Sequence, residues 1–428
     1  MRVYSVLYFL VIFTFLQDLL QYFLVSFGTF FDLLDELILF VLFIVVIISY
    51  QKRVQFRKFD WFIFIFVGFY LLSSLVNLIN PVYALIGFRD VLQYVFLYFI
   101  VLWSPLAKSE CDGLVKLVFV FATLNVVVLF FQWIWFIGST GSLFIEDSAT
   151  GLMGINGAHI LGFFLAMIAL YYFTLAMYKP KDRPKYVWFK LFILLFAIVL
   201  TSARALFFFL PLVLLLLVLI NFKLILKKNP VFLSVFFILG LVAVLLLIVF
   251  ADAGTATLRP SKLVDQQSSD LVEGSGANRV SFLGYSYNLL SESGNVLFGN
   301  GPGSYVSKTG MYFVGEFTLR YVNDFPFENE FVSGGSQLNS VLVELGLVGT
   351  IFLYLLLFSM FFYLVRMRNK SDKSYFVLAS AGVVLLYIFS SVVQKSFEIQ
   401  VWSMMVWLMF ALSIKSVEND YVKERKLV

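Results

Sequence analysis

"ALFFFLPLVLLLLVLINF", residues 205–222, runs for eighteen residues without a charge, with Arg204 before it and Lys223 after it. At about 1.5 Å per residue, a helix of that length covers roughly 27 Å, close to the thickness of a hydrocarbon core of about 30 Å. Within such a core an isolated segment pairs its own backbone only as a helix, so the stretch predicts a membrane-spanning helix. Runs of the same kind recur on both sides of it. They are expected near residues 3–20, 33–50, 61–79, 84–103, 114–137, 157–178, 186–202, 205–222, 230–250, 340–364, 375–393 and 398–414, about twelve spans in all. Composition agrees: 61% of residues are hydrophobic and 13% charged, and the mean hydropathy is +0.94, far outside the range of a soluble domain. The chain therefore reads as an all-α, polytopic membrane protein. The run that opens at Val3 has no small-residue cleavage site after it and is expected to stay in the protein. Cys111, the single cysteine, rules out an internal disulfide and reads as a buried thiol.

Orientation comes from Lys and Arg, which collect in short cytoplasmic loops. Of the 31 basic residues, 23 fall at Arg2, at 52–58, 108–116, 179–190, 223–228 and 366–373, and in a tail from Lys415 to Lys426. This predicts cytoplasmic termini, with helices 1–9 in residues 1–250, a large extracytoplasmic loop over 251–338, and helices 10–12 plus a cytoplasmic tail in 339–428. The net charge of +5 follows from that bias and calls for no nucleic-acid partner. Eight basic residues break it: Arg89, Arg204, Arg259, Lys262, Arg279, Lys308, Arg320 and Lys395.

Several of these lie in the long loop, and a loop of such length is commonly functional. Its stretch "NRVSFLGYSYNLLSESGN" (278–295) spaces Val280, Phe282, Leu283, Tyr287 and Leu290 by three and four residues and ends on Gly294 and Asn295. An amphipathic helix on the membrane face is expected. "LFGNGPGSY" (297–305) follows at once. It lacks both the strand–loop–helix setting and the Gly-Lys-Ser/Thr ending of a phosphate-cradling loop, which argues against a nucleotide site. What remains is geometry, since glycine permits positive φ and close approach of another chain.

Three stretches occur in a fixed order around that loop: "LTSARALFFFLPLVLLLL" (200–217), residues 277–305, and "SQLNSVLVELGLVGTIFLYLLL" (336–357). In this order the chain resembles the O-antigen polymerase and O-antigen ligase superfamily. The matching elements are Thr201, Ser202 and Arg204 between two hydrophobic helices, Arg279 opening a loop helix, the glycine turn, and Glu344, Gly346 and Gly349 where the chain re-enters the membrane. The first half contributes mainly hydrophobicity and "GFRDVLQYVFLYF" (87–99).

The resemblance implies a metal-independent glycosyltransferase of the bacterial cytoplasmic (inner) membrane. Such an enzyme joins polyprenyl-diphosphate-linked oligosaccharide repeats into a surface polysaccharide, of the O-antigen or capsule kind, at the outer face. It also implies contact with membrane lipids, and with a flippase and a chain-length regulator as partner proteins. Arginine suits a diphosphate leaving group because its planar fork stays charged and binds two oxygens at once. Arg204 and Arg279 are therefore the expected catalytic pair, with Glu328 and Glu330 as candidate bases and Asp324 behind them. Arg89, Gly301, Gly303, Tyr305, Arg320, Gln337, Asn339 and Glu344 are expected to contact substrate.

Structural roles stay open beside these. Arg204 also fits an arginine snorkelling from a helix end, and Arg279 fits a contact with lipid headgroups. Arg89 fits a local pair with the adjacent Asp90, and Arg320, Glu328 and Glu330 fit solvated loop charge. His159, the only histidine, fits packing or a hydrogen bond at the outer start of a span. Family ligases carry a histidine near the end of the loop; here Ser336, Gln337 and Asn339 stand instead, which disfavours a ligase. A lipid-linked glycan transporter is the third reading, expected to show repeated halves, broken helices and ionisable groups at mid-membrane. No cluster of His, Cys and carboxylates suggests a metal, and no cofactor is expected.

Overall fold

A computed structural model describes residues 3–23, 28–140, 149–154, 157–178, 185–201, 203–228, 279–305, 336–370, 373–394, 396 and 399–427, with only the backbone of residues 18, 21–23, 28–33, 90, 140, 204, 224, 228, 279–282 and 421–427, Arg204 and Arg279 among them. Every regular element among them is helical. In chain order these are α1 (Val3–Phe23), α2 (Gly28–Ser49), α3 (Asp60–Val76), α4 (Pro81–Leu92), α5 (Val95–Trp103), α6 (Lys108–Thr140), α7 (Ala158–Tyr178), α8 (Val187–Leu200) and α9 (Arg204–Lys228). Then follow α10 (Arg279–Ser293), α11 (Gln337–Met367), α12 (Ser374–Val393) and α13 (Gln400–Leu427).

Among the described residues six stretches are long and apolar enough to cross a membrane: Lys108–Ser139, Ala158–Tyr178, Ala205–Lys223, Gln337–Lys370, Ser374–Val393 and Gln400–Asp420. Burial sorts them. The Gln400–Asp420 window is 94% buried and those of α7 and α12 are 83% buried, so these helices form the centre; Ala205–Lys223, at 33%, lies on the outside. The outer surface is oily. Trp61, Leu75, Phe131, Trp135 and Phe208 are each more than 60% exposed, a surface that suits lipid and would drive association in water.

Local signals set the helix ends. Pro81 opens α4 where no N–H is needed, and the Asn80 side chain accepts from the Val82 amide at 2.9 Å. Ser336 likewise caps α11, accepting from the Asn339 amide at 3.3 Å. Pro211 sits inside α9, a position that a membrane helix tolerates.

The single span expected over 84–103 is instead two helices, α4 and α5, interrupted at Gln93 and Tyr94. Both side chains turn to the fully buried Asp35 of α2, whose carboxylate accepts from the Tyr94 hydroxyl at 2.7 Å and the Gln93 amide at 3.0 Å. A second buried carboxylate, Asp60, accepts from the Tyr98 hydroxyl at 2.6 Å. The expected span at 230–250 and most of the expected loop lie outside the described residues.

Ion pairs gather at one end of the bundle, here termed the basic end. Arg57 bonds Glu418 through Nε at 3.1 Å, Lys108 meets Asp420 at 2.7 Å, and Lys373 pairs with Asp112. The sequence places Lys415 in a cytoplasmic tail, but α13 continues through it, and the side chain is only 7% exposed. Its ammonium donates to the carbonyls of Leu102 and Ser104, both at 2.9 Å, closing the C-terminal end of α5 where a cation is favoured. Replacing it leaves those two carbonyls buried without their donor. We therefore expect Lys415→Ala to lower stability by about 1–3 kcal/mol, read as a fall in the thermal midpoint in detergent. Lys52→Ala, at an exposed position, is expected to stay within about 0.5 kcal/mol of the parent.

Candidate functional site

The opposite end is organised by a break in a helix. Gly346 interrupts α11 with φ 68° and ψ −171°, so the helical pairing is lost around it. In an unbroken helix the carbonyls of Val343 and Glu344 would accept from the amides of Leu347 and Val348. Here the glycine turn takes over both sets. The amides of Asn300 and Gly301 donate to the carbonyls of Val343 and Glu344, each at 2.9 Å, while the amides of Leu347 and Val348 donate to the carbonyls of Val296 and Leu297 at 2.9 and 3.3 Å. Four backbone groups freed by the break are thus paired with a chain segment almost fifty residues away in sequence.

Such contact needs two glycines. A Cβ on Gly299 would lie 2.4 Å from both the Glu344 carbonyl oxygen and the Gly346 nitrogen, and one on Gly346 would lie 2.4 Å from the Gly299 nitrogen. Side chains fasten the turn further: Ser73 of α3 donates to the Phe298 carbonyl at 2.8 Å, Phe298 stacks on Phe69 at 5.9 Å, and Gly87 of α4 lies against Pro302 and Gly303. Gly301 (φ 92°), Gly303 (φ 76°) and Tyr305 are all buried, and the Tyr305 amide points to Glu344 Oε1 at 3.4 Å. In the described structure these residues, together with Glu344, hold the turn inside the bundle.

α10 packs on α11 and ends at Gly294, as its stop signals predict. Its faces differ from the apolar set read in the sequence: Ser286, Leu289 and Leu290 are buried, while Leu283 and Tyr287 are exposed at 38% and 56%. The mixed spacing thus serves two faces, one toward α11 and one outward.

Beside the turn lies a junction of uncharged polar groups. Ser336, Gln337, Asn339 and Ser340, the cap and first turn of α11, are at most 2% exposed. The Gln337 amide donates to the Gln394 carbonyl at 3.0 Å, drawing in the connection between α12 and α13. There Asn339 Nδ2, Gln394 Oε1, Ser396 Oγ and Gln400 Nε2 are buried without a hydrogen-bond partner among the described residues. Each such group costs about 1–3 kcal/mol when unpaired, so four of them in one junction require a reason. Sequence reasoning names Gln337 and Asn339 and misses Gln394, Ser396 and Gln400; the polar interruption "QKSFEIQ" (394–400) between two apolar runs is the signal that marks them.

The start of α9 and the C-terminal end of α10 lie at this end. α9 begins at Arg204 beside Thr201 and Ala203, whose side chains approach within 2.6 and 2.8 Å of where a Cβ on Gly162 of α7 would stand. The first turn of α7 in turn meets α13, since the Trp402 indole donates to the Ile160 carbonyl at 3.0 Å and stands edge-on to His159. His159 therefore packs against an aromatic ring. Arg279 opens α10; its side chain and that of Arg204 lie outside the described residues, as do Ser202, Arg320, Asp324, Glu328 and Glu330. Arg89 pairs with Glu36 of α2, both side chains about 85% buried, at 15% and 16% exposed; the side chain of Asp90, its expected local partner, lies outside the described residues.

Compared with known proteins, the chain matches no protein-family model and no curated protein to a significant degree.

The break makes a stability prediction with an internal control. Gly299→Ala and Gly346→Ala force backbone overlap and are expected to cost more than about 3 kcal/mol, or to prevent recovery of folded protein. Gly294→Ala also places a side chain at positive φ, but into open space. It is expected to cost only about 1–2 kcal/mol. Thermal unfolding of the three variants in one detergent reads the difference.

Proposed function

We propose that the chain is a glycan polymerase. It joins oligosaccharide repeats carried on a polyprenyl diphosphate into a surface polysaccharide, by attack of the acceptor unit's terminal hydroxyl on the donor's anomeric carbon. The reading takes about twelve spans, cytoplasmic termini and an outward loop over 251–338 as its topology. The observation that carries it is a junction of buried amides and hydroxyls at the end of the bundle where α9 begins and where α10 runs into the glycine turn. Uncharged donors and acceptors match sugar hydroxyls, and guanidinium groups match a diphosphate.

In this reading Arg204 and Arg279 hold the diphosphate and stabilise the charge that grows on it as the anomeric bond breaks. Glu328 or Glu330 takes the proton of the attacking hydroxyl. Gln337 and Asn339, joined by Gln394, Ser396 and Gln400, orient the sugars.

A transporter is the second reading, favoured by the two interrupted helices and by Asp35, Asp60 and the Arg89–Glu36 pair inside the bundle. Transport sites, however, use the ends of broken helices to hold substrate. Here the chain's own glycine turn fills the break in α11, and backbone bonds from Gln93 to Arg89 and from Tyr98 to Tyr94 span the other, which leaves the polymerase ahead.

Two experiments test this. In cells lacking the gene, single repeat units are expected on the surface lipid in place of long chains; restored Arg204→Lys and Arg279→Lys variants are expected to insert normally and transfer poorly, since a point charge does not reproduce a two-pronged fork. Full polymer from both variants would overturn the assignment. For the junction, Gln394→Leu and Gln400→Leu remove unpaired buried groups and are expected to keep or raise stability. If these side chains bind sugar, chain length and transfer rate fall all the same; unchanged polymer removes them from the site.

A further inference from the structure

The basic end contains a cavity of about 230 Å³ between α6, α7, α12 and α13. Its walls are Phe119, Tyr171 and Phe376, which meet ring to ring, with Phe119 and Tyr171 centroids 4.6 Å apart. Lys116 and Lys373 line it together with Asp112. Deeper in stands Ser416, 6% exposed, whose hydroxyl is buried and has no hydrogen-bond partner among the described residues. The cavity is thus aromatic on its sides, cationic at its edge, and supplied with a hydroxyl that awaits a polar ligand.

Its position relative to the membrane narrows the ligand. α6 has 33 residues and is about 50 Å long, more than a hydrocarbon core needs. Lys116 is the last charge before the uncharged stretch 117–136, so it stands where the hydrocarbon begins. From it an outward stripe runs along α6: Val120, Leu124, Val127 and Phe131, exposed at 53%, 46%, 47% and 71%. Lys373 stands in the same relation to α12, just before its first residue.

The charges narrow it again. Asp112 pairs with Lys373, which leaves a single uncompensated cation, Lys116, among the charged residues lining the cavity. One net positive charge suits a phosphodiester, which carries one negative charge, better than a phosphomonoester.

We propose that this cleft binds the phosphodiester head of one anionic phospholipid, with its acyl chains laid along the outward stripe of α6. The phosphate oxygens accept from Lys116 and Lys373, the Ser416 hydroxyl donates to the head, and the glyceryl backbone rests on Phe119. The cleft is half open, and its aromatic and cationic lining suits a head group. The chains lie along the exposed apolar stripe of α6, which begins at Lys116.

The test uses the full chain, stripped of lipid in a neutral detergent and titrated with phosphatidylglycerol or phosphatidylcholine of identical acyl chains, with bound lipid counted by native mass spectrometry. One saturable phosphatidylglycerol is expected, held at least tenfold more tightly than phosphatidylcholine. Lys116→Gln with Lys373→Gln is expected to reduce that preference below threefold, and Ser416→Ala to weaken it without abolishing it. Lys227→Gln with Lys370→Gln, at exposed positions of the same end, is expected to leave it intact. The lipid-free thermal midpoint of Lys116→Gln alone checks folding, since that side chain is exposed. Equal binding of the two lipids, a preference that survives the double variant at the cleft, or displacement of phosphatidylglycerol by millimolar inorganic phosphate would overturn the proposal.

Discussion

A helix that breaks inside a membrane frees amides and carbonyls that no water satisfies, and each left bare costs several kcal/mol. The exchange between residues 296–301 and 343–348 settles this for α11. It also fixes much else. Because the four bonds pair backbone with backbone at glycine distance, the turn has no freedom to slide, and α10, which precedes it directly, is held against α11. α3 and α4 are drawn to the same point through Ser73 and Gly87. The first turn of α11 stands just above the break, so the polar junction inherits its position from it.

The second interruption, at Gln93 and Tyr94, is milder: the Gln93 backbone amide still donates to the Arg89 carbonyl at 3.0 Å and the Tyr98 amide to the Tyr94 carbonyl at 3.4 Å. Asp35 accepts from both residues, and Arg89, one turn earlier on α4, is matched by Glu36 next to Asp35. Two adjacent acids of α2 thus serve two positions of the interrupted α4–α5 helix. A buried pair of this kind is costly to disrupt because either partner alone is an uncompensated charge. It reads as a clamp that keeps a short helix and its continuation in register, and it lies on α2, away from the α12–α13 connection.

How much of this was legible in the sequence depends on distance along the chain. Apolar runs declare helices locally, and Gly294 and Asn295 mark the end of α10, because the chemistry responsible sits in the same few residues. Gly346 is visible as a glycine; that it meets Gly299 is not, since their contact is made by backbone and leaves no pattern of side chains. Arg89 shows the same limit: its neighbour Asp90 is visible in the sequence, but its pairing with Glu36, fifty-three residues away on another helix, is not. Lys415 misleads because a lysine after an apolar run looks like a loop charge, and only the end of α5 packed beside it reveals two carbonyls waiting for a cation. Gln394, Ser396 and Gln400 pass for an ordinary polar connection until Gln337 is seen bonded into it.

The two ends of the bundle use polarity differently, and the difference bears on where chemistry can occur. At the basic end Arg57, Lys108 and Lys373 have carboxylate partners, and Lys415 has its carbonyls. Among the described residues the buried Ser416 hydroxyl at the basic end, and the neutral Asn339, Gln394, Ser396 and Gln400 at the other, each keep an atom without a partner, and what sets the second group apart is that no charge stands among them. An unpaired charge at such depth would shift its protonation or pull in water, whereas an unpaired amide or hydroxyl can persist at a cost of a few kcal/mol. A site that must empty and refill with a hydroxyl-rich ligand is therefore better built from amides than from ions, since it must endure the empty state as well as the full one. The rigid break beside it serves the same need, holding those groups in place when nothing is bound to them.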